Sequence, residues 1–111
     1  MKISVVIPCY NEQESIELFY KEMSSVSEEM NNEFEFIFVN DGSKDNTLTI
    51  IEDLCQKDSR VKFISFSRNF GKEAGLYAGL SHASGDYISL IDADLQQRPE
   101  IVRNMVEILD H

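Results

Sequence analysis

The feature that most constrains the fold is a regular alternation of short β-branched or aromatic runs with amphipathic segments. Four runs have the composition of strands, at residues 3–7, 34–39, 61–66 and 87–91. In the segments between them, apolar residues recur mostly every three or four positions, which is the spacing of a helix with one buried face. The order βαβαβαβα predicts a parallel sheet, because a parallel return needs a crossover connection.

The four predicted helices differ in character. The first covers about residues 13–30, and the second follows a cap at Ser43 or Asp45. The third, residues 72–83, has a face of small residues that suits close packing on a sheet, namely Ala74, Gly75, Ala78 and Gly79. The last helix begins near Pro99, because proline is favoured in the first turn of a helix.

The composition of the strands predicts their order in the sheet. The first strand, which Pro8 ends, is apolar and fits a position buried on both faces, whereas Lys62 indicates that the third strand lies further out. We expect the strand order 3-2-1-4 in a doubly wound, Rossmann-like α/β sheet with helices on both faces. No linker or repeat divides residues 1–111, so a single domain is expected.

Charge and cysteine content exclude several classes of protein. The formal net charge is −10, which repels nucleic acid backbones and anionic lipid headgroups, so no nucleic acid partner is expected. Two cysteines are too few for a disulfide scaffold and indicate buried thiols in a reducing compartment. The apolar stretch at the N-terminus is too short for a signal peptide or a membrane span, so we expect the chain as given to be soluble and cytoplasmic.

Two carboxylates follow the fourth predicted strand, at the edge where open α/β sheets bind ligands. Asp92 and Asp94 lie two positions apart and can both reach one hard divalent cation. Two carboxylates are the number that Mg²⁺ takes when phosphate oxygens complete its coordination shell. The pair therefore predicts Mg²⁺ or Mn²⁺ together with a diphosphate ligand.

The residues after the first two strands indicate which nucleotide-binding loops the chain can and cannot form. Asp41 follows the second strand and can accept hydrogen bonds from a ribose or a base edge, or else belongs to an ordinary turn with a helix cap. A dinucleotide fold would need a Gly-x-Gly-x-x-Gly turn where residues 8–13 read PCYNEQ. There is no Walker lysine motif either, so neither of these common phosphate-binding loops is expected.

Three segments in this order resemble the N-terminal half of the inverting family 2 glycosyltransferases with the GT-A fold. They are residues 5–12, 39–45 and 92–96, which read VVIPCYNE, VNDGSKD and DADLQ. Residues 67–74, SRNFGKEA, look most like the branch that makes polyprenyl-phosphate sugars, namely dolichol-phosphate mannosyltransferases and bactoprenol glucosyltransferases. The resemblance covers essentially the whole chain.

The resemblance implies a site residue by residue. A uracil or guanine pocket would use four residues at the first two strand ends: Pro8, Tyr10, Glu12 and Asp41. Asp92 and Asp94 would form the DXD motif, the catalytic pair that binds the metal and the sugar nucleotide, with Gln96 beside them. Lys72 would contact the diphosphate, or else be solvated at the start of its helix.

The activity implied is metal-dependent transfer of a sugar from UDP-glucose or GDP-mannose to a polyprenyl phosphate. An acceptor that is already an anion has less need of a general base, which leaves the metal and the leaving group as the main catalytic devices. One departure from the branch is Gln97-Arg98-Pro99, because an acidic residue and a proline more often follow Gln96.

The second departure is length, since acceptor-binding and membrane-anchoring segments of the branch are missing. We therefore expect a donor-binding half, a fragment of a longer chain that is inactive alone, with exposed edges that favour a homo-oligomer. The full-length protein would act at the cytoplasmic face of the membrane.

Three alternatives remain open on the sequence. One is a non-catalytic nucleotide-binding or assembly module, and another is a glycosyltransferase with a soluble sugar acceptor. A nucleotidyltransferase is the third, although the Gly-rich basic loop that it needs is absent from residues 8–13.

Overall fold

The computed structural model describes residues 2–91, apart from the side chain of Lys72. Its elements alternate along the chain as β1 (Lys2–Cys9), α1 (Ile16–Glu29), β2 (Glu33–Asp41), α2 (Thr47–Lys57), β3 (Val61–Phe66), α3 (Lys72–His82) and β4 (Tyr87–Leu90). The predicted alternation of strands and helices is confirmed over this part of the chain. The predicted helix near Pro99 lies outside the described residues.

The strands form one parallel sheet in the predicted order, β3-β2-β1-β4. In its register, Val6 of β1 lies beside Ile37 of β2 on one side and Leu90 of β4 on the other. Residues Ile3 to Ile7 of β1 are all buried. A strand in the middle of a sheet with helices on both faces needs apolar side chains in both directions, which explains the uninterrupted apolar run of β1.

Helices α1 and α2 cover one face of the sheet, and α3 lies against the other. The first core contains alternate residues of the central strands and the apolar faces of the two helices, including Ile3, Val5, Ile7, Phe34, Phe36, Phe38, Ile16, Phe19, Ile51 and Leu54. The second, smaller core is formed by the intervening residues Val6, Ile37 and Val39. The predicted arrangement with helices on both faces is therefore confirmed.

Two glycines allow α3 to pack directly on the sheet. A Cβ atom added at Gly79 would lie 2.3 Å from Cγ1 of Val6, and one added at Gly75 would lie 3.5 Å from Cγ1 of Val39. Both glycines are buried. The small-residue face predicted for this helix is thus the surface that contacts β1 and β2, and at Gly79 there is no room for a side chain.

Two of the differences from the predicted element boundaries involve the loop after β1. β1 does not end at Pro8 but continues to Cys9. Among the described residues, β4 pairs with β1 from Ile3 to Val6, and Pro8 lies beside Val39 of β2. α1 begins at Ile16, three residues later than predicted, because the residues before it form hydrogen bonds with another loop.

A buried carboxylate lies at the edge of the sheet where the strands begin. Glu35 is 2% exposed and accepts hydrogen bonds from Ser4 Oγ at 2.5 Å, from Lys62 Nζ at 2.6 Å and from the N–H of Ser84 at 2.9 Å. Burial opposes its ionisation, yet the hydrogen bonds from these three residues, with Ser84 donating through its hydroxyl as well, outweigh it and lower the pKa of Glu35 to about 2. Lys62, on which the predicted outer position of β3 rests, thus pairs with a carboxylate of the neighbouring strand β2.

Candidate functional site at the carboxyl edge of the sheet

The loops after β1 and β2 are joined by hydrogen bonds in which polar side chains of both loops accept backbone N–H groups. Five bonds cross between them: Asn11 N–H to Ser43 Oγ at 2.9 Å, Lys44 N–H to Asn11 Oδ1 at 2.8 Å, Glu12 N–H to Thr47 Oγ1 at 2.8 Å, Gln13 N–H to Asp45 Oδ2 at 3.3 Å and Asn46 N–H to Gln13 Oε1 at 3.0 Å. The first strand end is therefore held against the second.

The N-cap of α2 is Asn46, which makes no side-chain cap hydrogen bond, so neither of the predicted caps, Ser43 and Asp45, holds that position. Asp45 Oδ1 accepts the N–H of Thr47, the first residue of the helix, at 2.9 Å. Thr47 Oγ1 and the backbone N–H groups of Thr47 and Gln13 donate hydrogen bonds to Asp45, which lower the pKa of its carboxyl against the opposing effect of burial. Ser43, the other predicted cap, instead accepts the N–H of Asn11 from the opposite loop.

Asp41 connects the second strand end with the start of α3. Its side chain is buried, with 6% of the residue exposed. Oδ1 accepts the N–H of Phe70 at 2.8 Å, and Oδ2 accepts the N–H of Gly71 at 3.0 Å. Each carboxylate oxygen has two acceptor positions, and these two N–H groups of described residues take one on each oxygen. Asp41 thus holds a loop in place, a contact that its position in the sequence does not reveal.

Gly42 brings the backbones of two loops into contact. It has a φ of +69°, and a Cβ atom at this position would lie 2.2 Å from the carbonyl carbon of Arg68. Because Arg68 C is a backbone atom, no rotation of a side chain could relieve that clash. The loops after β2 and β3 are therefore packed as closely as two backbones can be.

Arg68 and Phe70 form an exposed pair at the rim of this edge. The guanidinium carbon of Arg68 lies 4.7 Å from the ring centroid of Phe70, whose ring is in edge-to-face contact with Phe66 at 5.5 Å. Phe70 is 52% exposed. The sequence alone does not indicate this contact, because a cation and an aromatic residue in a loop have no distinctive spacing.

The predicted site residues are only partly within the described region. Tyr10 is exposed, Pro8 and Glu12 are half-buried, and Asp41 is buried beside them at the same edge. Lys72 is the first residue of α3. The predicted metal ligands Asp92 and Asp94, and Gln96 beside them, lie outside the described residues, and within residues 2–91 no three His, Cys, Asp or Glu side chains are grouped to hold a metal.

The end of β4 leads directly to the predicted metal ligands. Ile91, the last described residue, is buried, and its N–H donates a hydrogen bond of 3.0 Å to the carbonyl oxygen of Val6. The chain is therefore still attached to the central strand one residue before Asp92 in the sequence.

The two cysteines have structural contacts and form no disulfide. Cys9 is buried and donates from Sγ to the carbonyl oxygen of Ile7 at 3.3 Å, and Cys55 is half-buried and donates to that of Val61 at 3.2 Å. These contacts agree with the prediction of structural thiols. In the part of the chain from residue 2 to residue 91, no helix is long and apolar enough to cross a membrane.

A parallel α/β sheet whose polar loops gather at the carboxyl ends of its central strands is the arrangement of nucleotide-binding enzymes. The strand order 3-2-1-4 is the order predicted from the sequence. The chain belongs to Glycosyl transferase family 2, which its residues 4–111 match.

Relatives with curated descriptions match almost the whole chain. A prophage bactoprenol glucosyl transferase homolog of Escherichia coli (strain K12) is 50% identical over 107 residues, which are 96% of this chain and 35% of that protein. The bactoprenol glucosyl transferase of Shigella phage SfV has the same identity and coverage. The chain thus spans about a third of the length of these relatives.

Solved structures with the same fold are glycosyltransferases of the GT-A type. Residues 1–349 of TarS from S. aureus, in complex with UDP-GlcNAc, superpose with a TM-score of 0.79 at 26% identity, over 99% of this chain and 31% of that TarS chain. Glucosyl-3-phosphoglycerate synthase of Mycobacterium tuberculosis, in complex with Mn²⁺, UDP and glucosyl-3-phosphoglycerate, has a TM-score of 0.71 at 26% identity, over 97% of this chain and 39% of the synthase. The predicted GT-A type fold is confirmed.

Proposed function

We propose that the protein containing this chain transfers a sugar from a nucleotide diphosphate sugar to a polyprenyl phosphate. In this proposal the 111 residues supply the half that binds the donor. The observation that carries it is the 50% identity to bactoprenol glucosyl transferases over 107 residues, together with the tied loops at the carboxyl edge of the sheet. UDP-glucose is the leading donor and GDP-mannose the second.

The nucleoside would be bound where the first two strands end. Tyr10 offers an exposed ring beside the half-buried Pro8 and Glu12. Asp41 has both oxygens engaged by backbone N–H groups and keeps one acceptor position on each for an N–H of a uracil or guanine base. A carboxylate that is already fixed by two bonds loses little conformational entropy when it accepts a third. These four residues would thus determine the base.

The diphosphate would be bound next to the nucleoside, with Asp92 and Asp94 as carboxylate ligands to Mg²⁺ or Mn²⁺. A divalent ion there supplies charge neutralisation for the diphosphate as it leaves. The support is that Asp92 follows Ile91, which is still bonded to the central strand, and that a neighbour of 26% identity is described with Mn²⁺ and UDP. Gln96 would lie beside this pair, and Lys72 would contact the diphosphate from the start of α3.

The acceptor would be bound by parts of the protein other than this chain. A lipid phosphate at neutral pH carries the negative charge that makes it a nucleophile, so no general base has to be found among the residues of the donor half. A lipid acceptor also requires that the full-length protein work at a membrane surface, which we propose to be the cytoplasmic face.

Calorimetric titration with UDP-glucose and with GDP-mannose, in the presence and absence of Mn²⁺, tests the donor site. Removing one charge-assisted contact should weaken binding by about 10- to 150-fold, so we expect this loss for Asp41→Asn, Asp92→Asn and Asp94→Asn. Asp53→Asn is the matched control, because Asp53 is exposed on α2. If the Asp92 and Asp94 variants bind as tightly as the parent with the same metal dependence, the metal site is elsewhere.

Transfer to the acceptor is tested with labelled donor and polyprenyl phosphate. The full-length protein should form labelled lipid with Mn²⁺, and the isolated 111-residue chain should form none. Labelled product from the isolated chain, well above a metal-free control, would contradict the assignment of a donor half. Transfer to a soluble sugar but not to the lipid would contradict the acceptor, and binding without any transfer by the full-length protein would indicate a non-catalytic module.

A further inference from the structure

We infer that Asn11 is a positioning residue for the donor site, and this inference rests on the proposed function. Asn11 lies between Tyr10 and Glu12, two of the residues assigned to the nucleoside. Its own part is to fix the backbone between them against the loop after β2, without itself touching the donor.

The backbone conformation of Asn11 is the first observation. Its φ is +52°, the one positive value at a non-glycine residue among those described. This left-handed conformation reverses the chain locally, and asparagine adopts it with less strain than most residues. The directions in which Tyr10 and Glu12 leave the backbone therefore depend on the conformation of the residue between them.

The contacts of Asn11 are the second observation. Its N–H donates to Ser43 Oγ at 2.9 Å, and its Oδ1 accepts the N–H of Lys44 at 2.8 Å. One residue thus binds two successive residues of the opposite loop, once through its backbone and once through its side chain. We call this pair of bonds the Asn11 latch. These two bonds to the opposite loop stabilise the positive φ of Asn11.

The latch also connects the two halves of the proposed nucleoside pocket. Ser43 and Lys44 follow Asp41 by two and three positions in the sequence, and Asn40 Oδ1 accepts the N–H of Ser43 at 3.2 Å. The loop that Asn11 binds is therefore itself fixed to the end of β2. Loss of the latch would let Tyr10 move relative to Asp41, and the donor would have to order the pocket when it binds.

The experiment compares three replacements in the full-length gene product by steady-state kinetics. Asn11→Gly permits the positive φ but removes the acceptor for Lys44, and Asn11→Asp keeps both the acceptor and a tolerated φ. Losing one hydrogen bond and ordering a looser loop should raise the donor KM about 10-fold for Asn11→Gly, with kcat changed less than about 2-fold. Asn11→Asp should stay within about 3-fold of the parent KM. Asn31→Gly, in the exposed turn between α1 and β2, controls for added backbone freedom.

The aspartate variant separates positioning from direct contact. If the Asn11 amide donated a hydrogen bond to the donor, aspartate would lack that donor and add a negative charge near a diphosphate, so Asn11→Asp would be impaired at least as much as Asn11→Gly. That result, or a glycine variant with the parent KM, would overturn the inference. A parent enzyme that binds no nucleotide sugar would instead overturn the proposed function, and this inference with it.

A further variant removes one bond of the Asn11 latch by a change in the loop after β2. Ser43→Ala removes the acceptor of the Asn11 N–H and leaves Asn11 intact, and it should raise the donor KM about 3- to 5-fold. Hydrogen exchange of the Lys44 amide should become faster in Asn11→Gly and return to the parent rate in Asn11→Asp. If the Lys44 amide exchanges at the same rate in all variants, the Asn11 latch does not hold this loop. That result would overturn the inference even if the glycine variant folds poorly.

Discussion

Replacing Glu35 by glutamine should make the fold less stable and less sensitive to acid. The carboxylate is buried where the strands begin, and its three donors come from β1, β3 and the loop before β4. Glutamine keeps the shape but provides one acceptor oxygen in place of two and has no charge for Lys62. Its NH2 group would replace either the oxygen that accepts the Ser84 N–H or the oxygen that accepts from Lys62, so one of these buried donors would face another donor.

The magnitude follows from the pKa of this group. A carboxyl whose pKa falls from 4.5 to about 2 on folding contributes about 3 kcal/mol to the free energy of unfolding. Because the pKa is lowered in the folded state, that contribution is complete above about pH 5 and is lost as the pH falls towards about 2. We expect Glu35→Gln to lower the free energy of unfolding by about 2–3 kcal/mol at neutral pH.

Urea denaturation of the parent and of Glu35→Gln, followed by circular dichroism from pH 7 to pH 3, measures both effects. Glu33→Gln is the matched control, since Glu33 is exposed on the same strand. Asp58, whose pKa Arg60 holds well below its usual range, is unchanged in every variant, so the difference between curves isolates Glu35. Equal stability of Glu35→Gln and the parent at pH 7, or an equal loss on acidification, would refute the reasoning.

Three further outcomes are expected. Gly79→Ala should lower the free energy of unfolding by about 1–2 kcal/mol through overpacking. Gly75→Ala, whose Cβ has room, should instead raise it by up to about 1 kcal/mol through helix propensity. Urea denaturation measures both changes, and two changes of the same sign would contradict the packing of α3. Gly42→Ala should weaken UDP-glucose binding at least 10-fold in calorimetry by displacing the backbone at Arg68, and parent-like affinity would exclude that loop from the site. The isolated chain should self-associate in analytical ultracentrifugation because β4 exposes apolar side chains, and Ile88→Lys should reduce this; a monomer at all concentrations would disprove it.

Local patterns predicted the strands well because a strand is defined by its own side chains. Val61–Phe66 was predicted with both ends correct, and the second and fourth strands were predicted to within two residues. The start of α1 was predicted too early, since Gln13 fits a helix equally well on propensity and is bound by Asp45 and Asn46 of another loop instead. Such a contact joins residues more than 30 positions apart and leaves no local trace.

The position of Asp41 at the carboxyl edge of the sheet was predictable from the sequence, but its contacts were not. Parallel strands must end at a common edge, so Asp41 was assigned to the site from its position after β2. Its bonds to the N–H groups of Phe70 and Gly71 involve backbone atoms, which every residue possesses, and no side-chain pattern marks them. Glu35 presents the same difficulty, because an isolated acidic residue in an apolar strand does not indicate which donors will surround it.

The length of α3 has a consequence for how sequences of this family can change. The helix has 11 residues and is therefore about 16 Å long. Asp41 binds Gly71 just before it and Glu35 binds Ser84 just after it, and both carboxylates lie on one face of β2, roughly 20 Å apart along the strand. One inserted residue would rotate an end of the helix by about 100° and shift it by about 1.5 Å, so both anchors could not be kept. Insertions and deletions should therefore be rare within α3.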